Sequence, residues 1–416
     1  MREDWIECKL GDILFVNSGK GLSVNKMKTG KNPVYGGNGI SGFHSEFIYE
    51  DIKLIIGRVG AKCGVVHITH PRAWVTDNAL VVNFYFENPN LKFFKLLLEI
   101  ENLNKLSNST AQPVISGAKI YDYNIYLPPF PEQCAIVKKI ETLFSSLDAG
   151  IADLKKSQEQ LKIYRQAVLK KAFEGELTKN RKKGNIERIK LKEVLTISSQ
   201  KHKPEKEEIL FYVGLEHIEK HTGKLINSVK LETITTIKNK FFPNQILYGK
   251  LRPYLNKVYL SKEEGVCSTD ILVFNISEKI NPKFIHLFMM GREFVNNMSN
   301  NTSGVNLPRV PTKYIENYLI PFTSLEEQQQ IVKEIESRLS VCDDLEKQIK
   351  NNLDQAEALR QSILKKAFEG NLLTEEELRA CKAEPDYEPA SVLLQRIKAE
   401  KEAHKPVKKT SKKKVS

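Results

Sequence analysis

Three stretches of the chain have residue types that do chemistry at informative spacings. Gly37, Gly39 and Gly42 in GGNGISG satisfy the G-x-G-x-x-G outline, which cradles a pyrophosphate only where a helix opens directly after it and an acidic residue follows at a set distance. Here FHSEF follows and no acidic residue stands at the required place, so the stretch reads as a turn. His217 and His221 are one helical turn apart in EHIEKH, but the order is not H-E-x-x-H, and the pair reads as two polar surface side chains. LPPF at 127 to 130 has the outline of an N-P-P-F motif, whose asparagine hydrogen-bonds a target amine; Leu127 stands in that place and cannot. No G-x-x-x-x-G-K-[ST] phosphate loop, G-x-S-x-G elbow or Cys/His cluster occurs. The six cysteines, at 8, 63, 134, 267, 342 and 381, form no CxxC pair, which argues against a zinc ribbon, a redox motif and a disulfide scaffold; they read as reduced and structural.

What remains is the chemistry of binding. Arg58 and Lys62 in GRVGAK, and Lys250, Arg252, Tyr254 and Lys257 in GKLRPYLNK, occupy matching places in two parts of the chain. Glycine or proline bends a strand end there, and long cationic donors reach phosphate or guanine. Asn78 and Gln112 are residue types that bond adenine, and Arg309 and Lys313 are candidates for holding a nucleic-acid backbone. Singly, each reads equally well as solvated surface; the set carries the inference.

Those residues sit in a chain of 416, enough for about three domains at the soft prior of ~150 residues each. At 41% apolar and 28% charged it has the composition of a globular protein. No apolar run approaches the ~18 residues of a membrane helix. The start, MREDWIECKLGDI, lacks a basic region, apolar stretch and cleavage site, so a cytoplasmic location is expected. The formal charge of +13 is misleading, because the last 16 residues hold seven Lys against one Glu and carry +6 of it. The remaining +7 is a mild bias that favours phosphate binding only if concentrated on one face.

An internal repeat organises the chain. Glu132 to Leu177 returns as Glu327 to Leu372 at an offset of 195, without a gap, with roughly 21 of 46 positions identical. Each copy reads as one long helix, since Ile140, Leu147, Leu154, Leu161 and Val168, and in the second copy Ile335, Cys342, Ile349, Ala356 and Ile363, recur at seven-residue steps. Ile136, Leu143 and Ile151, with Ile331, Leu345 and Leu359, widen the stripe. Ser324 with Glu327 predicts a capping box, Pro131 sits in a first turn, and Gly175 and Gly370 predict left-handed caps after the shared KKAFEG. Arg165, Gln166, Lys170, Lys171 and Glu174 return as Arg360, Gln361, Lys365, Lys366 and Glu369. Seam packing alone leaves such positions free to differ, so their identity predicts a second, shared surface, with Phe173 and Phe368 as partner-docking residues. The β-rich segments before the helices correspond more loosely, Gly57 with Gly249 and Asp77 with Asp270.

The expected architecture is α+β, with two β-rich domains separated by two long helices that form an antiparallel coiled coil under a pseudo-twofold repeat. Its segments are a first domain at 1–130, a helix at 131–177, a linker at 178–186, a second domain at 187–322, a helix at 323–372 and an extension at 373–416 with a disordered lysine-rich tail.

PPFPEQ, IPFTSLEEQ, the repeated RQ-x-[VI]-L-K-K-A-F-E-G helix ends, the doubled recognition pattern and EPASVLLQRIKAEKE together resemble the specificity subunits of Type I restriction-modification systems over nearly the whole chain. The resemblance implies a non-catalytic DNA-recognition subunit whose two variable domains each read half of a bipartite target. It implies two modification subunits docked on the helices and restriction subunits beyond them, with S-adenosylmethionine, ATP and Mg on those partners and no cofactor on this chain. Forty-six helical residues at ~1.5 Å span about 69 Å, or roughly 20 base pairs, a ceiling on half-site separation. The second variable domain is about 11 residues longer than the first, which predicts an asymmetric target. The competing reading is a coiled-coil scaffold whose variable domains bind proteins. A self-contained nuclease or methyltransferase requires a motif that the sequence lacks.

Overall fold

The computed structural model describes residues 2, 4–60, 62–107, 113–177, 187–204, 208–226 and 231–403. Gln112, the 178–186 linker and the lysine tail after 403 lie outside them. The chain divides into two compact units, one of Met1–Ala152 with Leu353–Ser416 and one of Asp153–Asn352. Each unit therefore holds one β-rich domain and a stretch of both long helices.

In the first unit, antiparallel strands run in the order Leu14–Ser18, Ala79–Phe84, Leu54–Gly57, Val66–Ile68. A three-stranded sheet joins Gly39–His44, Asn32–Gly36 and Trp74–Val75. The strand Leu54–Gly57 is buried throughout and reads as an unbroken apolar run, LIIG, as a central strand must. Helix Leu91–Ile100, capped by the Asn90 side chain, seats Phe93, Phe94, Leu97 and Leu98 in the core.

The second unit repeats the four-stranded order with Leu195–Ile197, Ile271–Ile276, Ile246–Gly249 and Val258–Leu260. Its other sheet is larger, with five strands in place of three. Helix Pro282–Met289 is capped by Asn281 and packs Phe284, Ile285 and Phe288 inward.

The long helices run Phe130–Phe173 and Leu325–Phe368. Both end as the repeated glycine dictates: Gly175 and Gly370 have φ +80°, and Glu176 N–H donates to the Lys171 carbonyl (2.9 Å) as Asn371 N–H does to Lys366 (2.8 Å). The predicted capping box shows its serine half, with a further contact from the neighbouring threonine. Ser324 Oγ accepts from Glu327 N (3.3 Å), and the Glu327 carboxylate accepts from the Thr323 hydroxyl.

The seam is real and graded. Ile140 and Val168, with Ile335, Cys342, Ile349, Ala356 and Ile363, are buried, whereas Leu147, Leu154 and Leu161 are half-buried. Ile136 and Ile331 are buried too, but Leu345 and Leu359 are 41% and 51% exposed, so the apolar stripe does not keep the predicted width along the helices. Ion pairs fix the antiparallel register. Arg165 binds Asp343 (2.6 Å) and Glu346 (3.0 Å) in the second unit, and Arg360 binds Asp148 in the first, over the Phe144 ring. Arg165 and Arg360 are repeat equivalents, and so are Asp148 and Asp343, so each unit contains the same contact with the helices exchanged.

Beyond the second long helix, Glu375–Ala383 and Ala390–Ala403 are ordered helices of the first unit. Leu393, Leu394 and Ile397 join its core, and Lys401 Nζ donates to the Gly11 carbonyl (2.6 Å). The extension is thus structural as far as Ala403.

Candidate nucleic-acid interface

Two sets of backbone hydrogen bonds build the same turn in both domains. In the first, Arg58 N donates to the Asn78 carbonyl (2.9 Å), Gly60 N to Pro113 (3.1 Å), and Ile115 N to Arg58 (3.0 Å). In the second, Lys250 N donates to Asp270 (3.1 Å), Arg252 N to Pro308 (2.7 Å), and Val310 N to Lys250 (3.1 Å). The bridges Val59–Val114 and Leu251–Arg309 complete the equivalence. A strand end, the turn after it and a returning segment are pinned together, which brings Arg58 beside Asn78 and Lys250 and Arg252 beside Asp270 and Arg309. The structural match for Asp270 is Asn78 rather than Asp77, a one-residue correction that the hydrogen bonds fix and the side chains disguise.

Glycine makes room for this turn in the first domain. A Cβ on Gly57 would meet the Gly37 carbonyl oxygen at 2.2 Å, and one on Gly37 would meet the Asn78 oxygen at 2.8 Å. The G-x-G-x-x-G outline therefore marks a close backbone approach beneath the cationic turn.

The candidates divide by where their side chains go. Arg58 is half-buried, with one guanidinium nitrogen 3.3 Å from Ser18 Oγ, while Lys62 and Asn78 are exposed. Lys250 is half-buried, and Arg252, Tyr254 and Lys313 are exposed. Lys257 turns inward: its ammonium donates to the Leu215 carbonyl, and burial lowers its pKa, so it supports the turn. Arg309 is held by Asp270 through Nε (3.1 Å) and Nη2 (3.3 Å), an ion pair that raises the arginine pKa and occupies one edge of the guanidinium. His217 accepts from Gly214 N at Nδ1 (3.1 Å), a local turn contact rather than half of a metal pair. Among the described residues, no group of three His, Cys, Asp or Glu side chains is arranged to hold a metal.

Several repeated residues make contacts within the fold. Phe368 is 9% exposed and packs on Phe93 (5.5 Å between centroids), and Phe173 lies 5.2 Å from both Phe284 and Phe288. These rings seat each recognition domain on a helix end. Arg165 and Arg360 make the ion pairs above. Gln166 donates to the Met290 carbonyl (3.4 Å) and accepts from Arg292 N (2.9 Å). Lys170 and Lys365 each make an exposed pair at 3.8 Å with the glutamate four residues on.

The repeated EQ pair at the helix starts was a signal of its own. Gln133 Nε2 donates to the Pro128 carbonyl (3.0 Å) and Gln328 Nε2 to the equivalent Thr323 carbonyl (2.7 Å), both from buried positions. Gln328 Oε1 also accepts from Asn281 N (2.7 Å), and the buried Glu132 accepts from Trp5 Nε1 (2.9 Å). These side chains fix how each domain enters its helix.

A family model described as "Type I restriction modification DNA specificity domain" matches residues 2–159 and 183–355. The chain is 28% identical over 435 residues to the Type I restriction enzyme EcoDI specificity subunit of Escherichia coli, covering 96% of each. It is 25% identical to the EcoBI specificity subunit of the same species, covering 84% of this chain and 80% of that one. Its fold resembles a chain solved in work on complex assembly and conformational transition of the type I R-M system (TM-score 0.69, 16% identity, 89% and 99% coverage). It also resembles the HsdS subunit from Thermoanaerobacter tengcongensis (TM-score 0.56, 16% identity, 89% and 98% coverage).

Proposed function

Because the chain belongs to the Type I restriction modification DNA specificity family, as a non-catalytic specificity subunit, we propose that each recognition domain reads one half of a bipartite double-stranded DNA target through its cationic turn. The observation that carries this is the duplicated turn, which presents Arg58, Lys62 and Asn78 from one domain and Lys250, Arg252 and Tyr254 from the other on the same backbone scaffold. Cations pinned at a strand end give phosphate contacts, and amide and guanidinium edges give base contacts. Lys313, exposed on the short helix Thr312–Glu316, is a backbone contact in this reading. The two turns differ in chemistry: the place of the Asp270–Arg309 clamp is held by Asn78 and Val114 in the first domain. The half-sites therefore differ and the target is asymmetric.

The long helices serve as spacer and as platform for two modification subunits, with restriction subunits joining the assembly. Ile163, Tyr164, Val341, Leu345 and Leu359 support the platform role, since they leave apolar surface exposed on helices whose seam is already filled. S-adenosylmethionine, ATP and Mg belong to those partners, and the assembly works in the cytoplasm.

The test is methylation-sensitive long-read sequencing of DNA from cells that express this chain with its modification subunit. One asymmetric bipartite motif with methyladenine on both strands, lost when the chain is omitted, is the expected result. A stable complex that neither marks DNA nor shifts a random duplex pool in a salt-dependent way would instead favour the protein-binding scaffold.

A further inference from the structure

The second domain's turn contains two residues in the left-handed region, Arg252 at φ +51° and Asn256 at φ +43°. Their equivalents in the first domain are Gly60 at φ +91° and Gly64 at φ +88°. Glycine adopts such values freely and asparagine with little cost, but arginine does so only under strain. Asn256 accounts for itself. It is 2% exposed, its side chain donates to the Met290 carbonyl (3.5 Å), and its own carbonyl accepts from His221 N (3.3 Å).

Arg252 has no comparable role in the fold. Its backbone N donates to Pro308 and its carbonyl accepts from Leu255 N (2.9 Å), and glycine makes the corresponding Pro113 contact in the first domain. Its side chain is exposed and has no hydrogen-bond or ion-pair partner among the described residues. Its neighbours are committed elsewhere, Arg309 to Asp270 and Lys257 to Leu215. The turn is stiff, because Pro253 is buried within the 3-10 segment Pro253–Leu255. A strained residue whose side chain serves nothing internal points to an external ligand.

We propose that Arg252 is a specificity-determining residue that reads a guanine in the half-site served by the second domain. The inference rests on the DNA-reading function above and narrows it to one base type, because a free guanidinium fork matches guanine O6 and N7. Holding the backbone rigid lowers the ordering cost of that contact.

The test is selection of bound duplexes from a randomised library by the full chain with its modification subunits, using wild type, R252G and R252K, with melting temperatures of each chain. Wild type should yield a bipartite motif. In R252G, preference for guanine should fall about ten-fold or more at one position of one half-site, with the remaining positions intact and a melting temperature equal to or above wild type. R252K keeps the charge but not the fork, and should lose the same preference. An unchanged motif in R252G, or a uniform loss of affinity without a change at any position, would overturn the assignment and leave DNA reading in place. A fall in the R252G melting temperature would also overturn it, by showing that the arginine serves the fold. Absence of any motif with wild type would remove the DNA-reading function itself, and this inference with it.

Discussion

His286 makes the second unit acid-sensitive, and the size of the effect follows from its surroundings. The residue lies on helix Pro282–Met289, whose next residue, Met290, receives the Asn256 and Gln166 side chains. Its Nε2 is sealed from solvent without a partner among the described residues, and a Cβ added to Gly223 would sit 2.7 Å away. Burial pushes its pKa down to about 4, against a weaker opposing hydrogen bond with the Val258 backbone. The unfolded chain, with a histidine pKa near 6.5, therefore takes up the proton first as the pH falls. The stabilising contribution is full above about pH 6.5 and declines toward pH 4, by about 1.4 kcal/mol per pH unit, or about 2 kcal/mol at pH 5. His286→Leu has no proton to take up and should flatten the decline between pH 7 and pH 5 by that amount. Both tryptophans, Trp5 and Trp74, belong to the first unit, so tryptophan fluorescence follows that unit and far-ultraviolet circular dichroism follows both. In urea titrations the difference between wild type and H286L should appear in the dichroism transition and not in the tryptophan one. Equal slopes with pH for the two proteins, or a difference confined to tryptophan, would refute the reasoning.

Phe368→Ala and Phe173→Ala should each cost about 3–5 kcal/mol through loss of a ring from a packed aromatic cluster. The first should lower the tryptophan-reported melting transition and the second the transition seen only by dichroism; loss of partner assembly at unchanged melting temperatures would restore direct docking. Double-mutant cycles for Arg165–Asp343 and Arg360–Asp148 should give similar couplings of up to about 1 kcal/mol, the size for part-exposed pairs, and coupling in only one unit would break the repeated register. Burial acts to raise the Asp343 pKa, but Arg165 and Lys224 together outweigh it and hold the carboxyl below its ordinary value of 3.8. The shift is downward as at His286, though here the charged form is favoured rather than disfavoured: this contribution is present at neutral pH and is lost as the pH falls below about 4, which acid titration of D343N against wild type should show.

The features that could be read from the sequence are those set by local periodicity. Seven-residue recurrence placed both long helices, and a glycine after KKAFEG placed both caps, because each depends on residues within two turns of one another. Direction of side chains at the turn was not legible. Lys257 faces inward because a carbonyl 42 residues earlier, at Leu215, accepts its proton, and Arg309 is engaged because Asp270, 39 residues earlier, folds back beside it. The Asp77–Asp270 pairing failed for a similar reason: matching side-chain types invited it, whereas the equivalence is carried by backbone groups, which leave no trace in residue identity.

Identity between the two halves also reflects internal packing at several positions. Arg165 and Arg360, Gln133 and Gln328, and Phe173 and Phe368 are the same because each half must solve the same internal problem: helix register, domain entry, and a seat for the domain on the helix end. Difference at equivalent backbone positions is the more informative signal for recognition. Where the scaffold is duplicated to the hydrogen bond, yet glycine faces Arg252, Asn78 faces Asp270 and Val114 faces Arg309 across the repeat, the fold does not demand the change. Two domains that read different bases must differ at just such places. Exchanging those three positions between the domains should therefore move base preference from one half-site to the other, with backbone strain confined to Gly60→Arg, where a φ of +91° suits glycine.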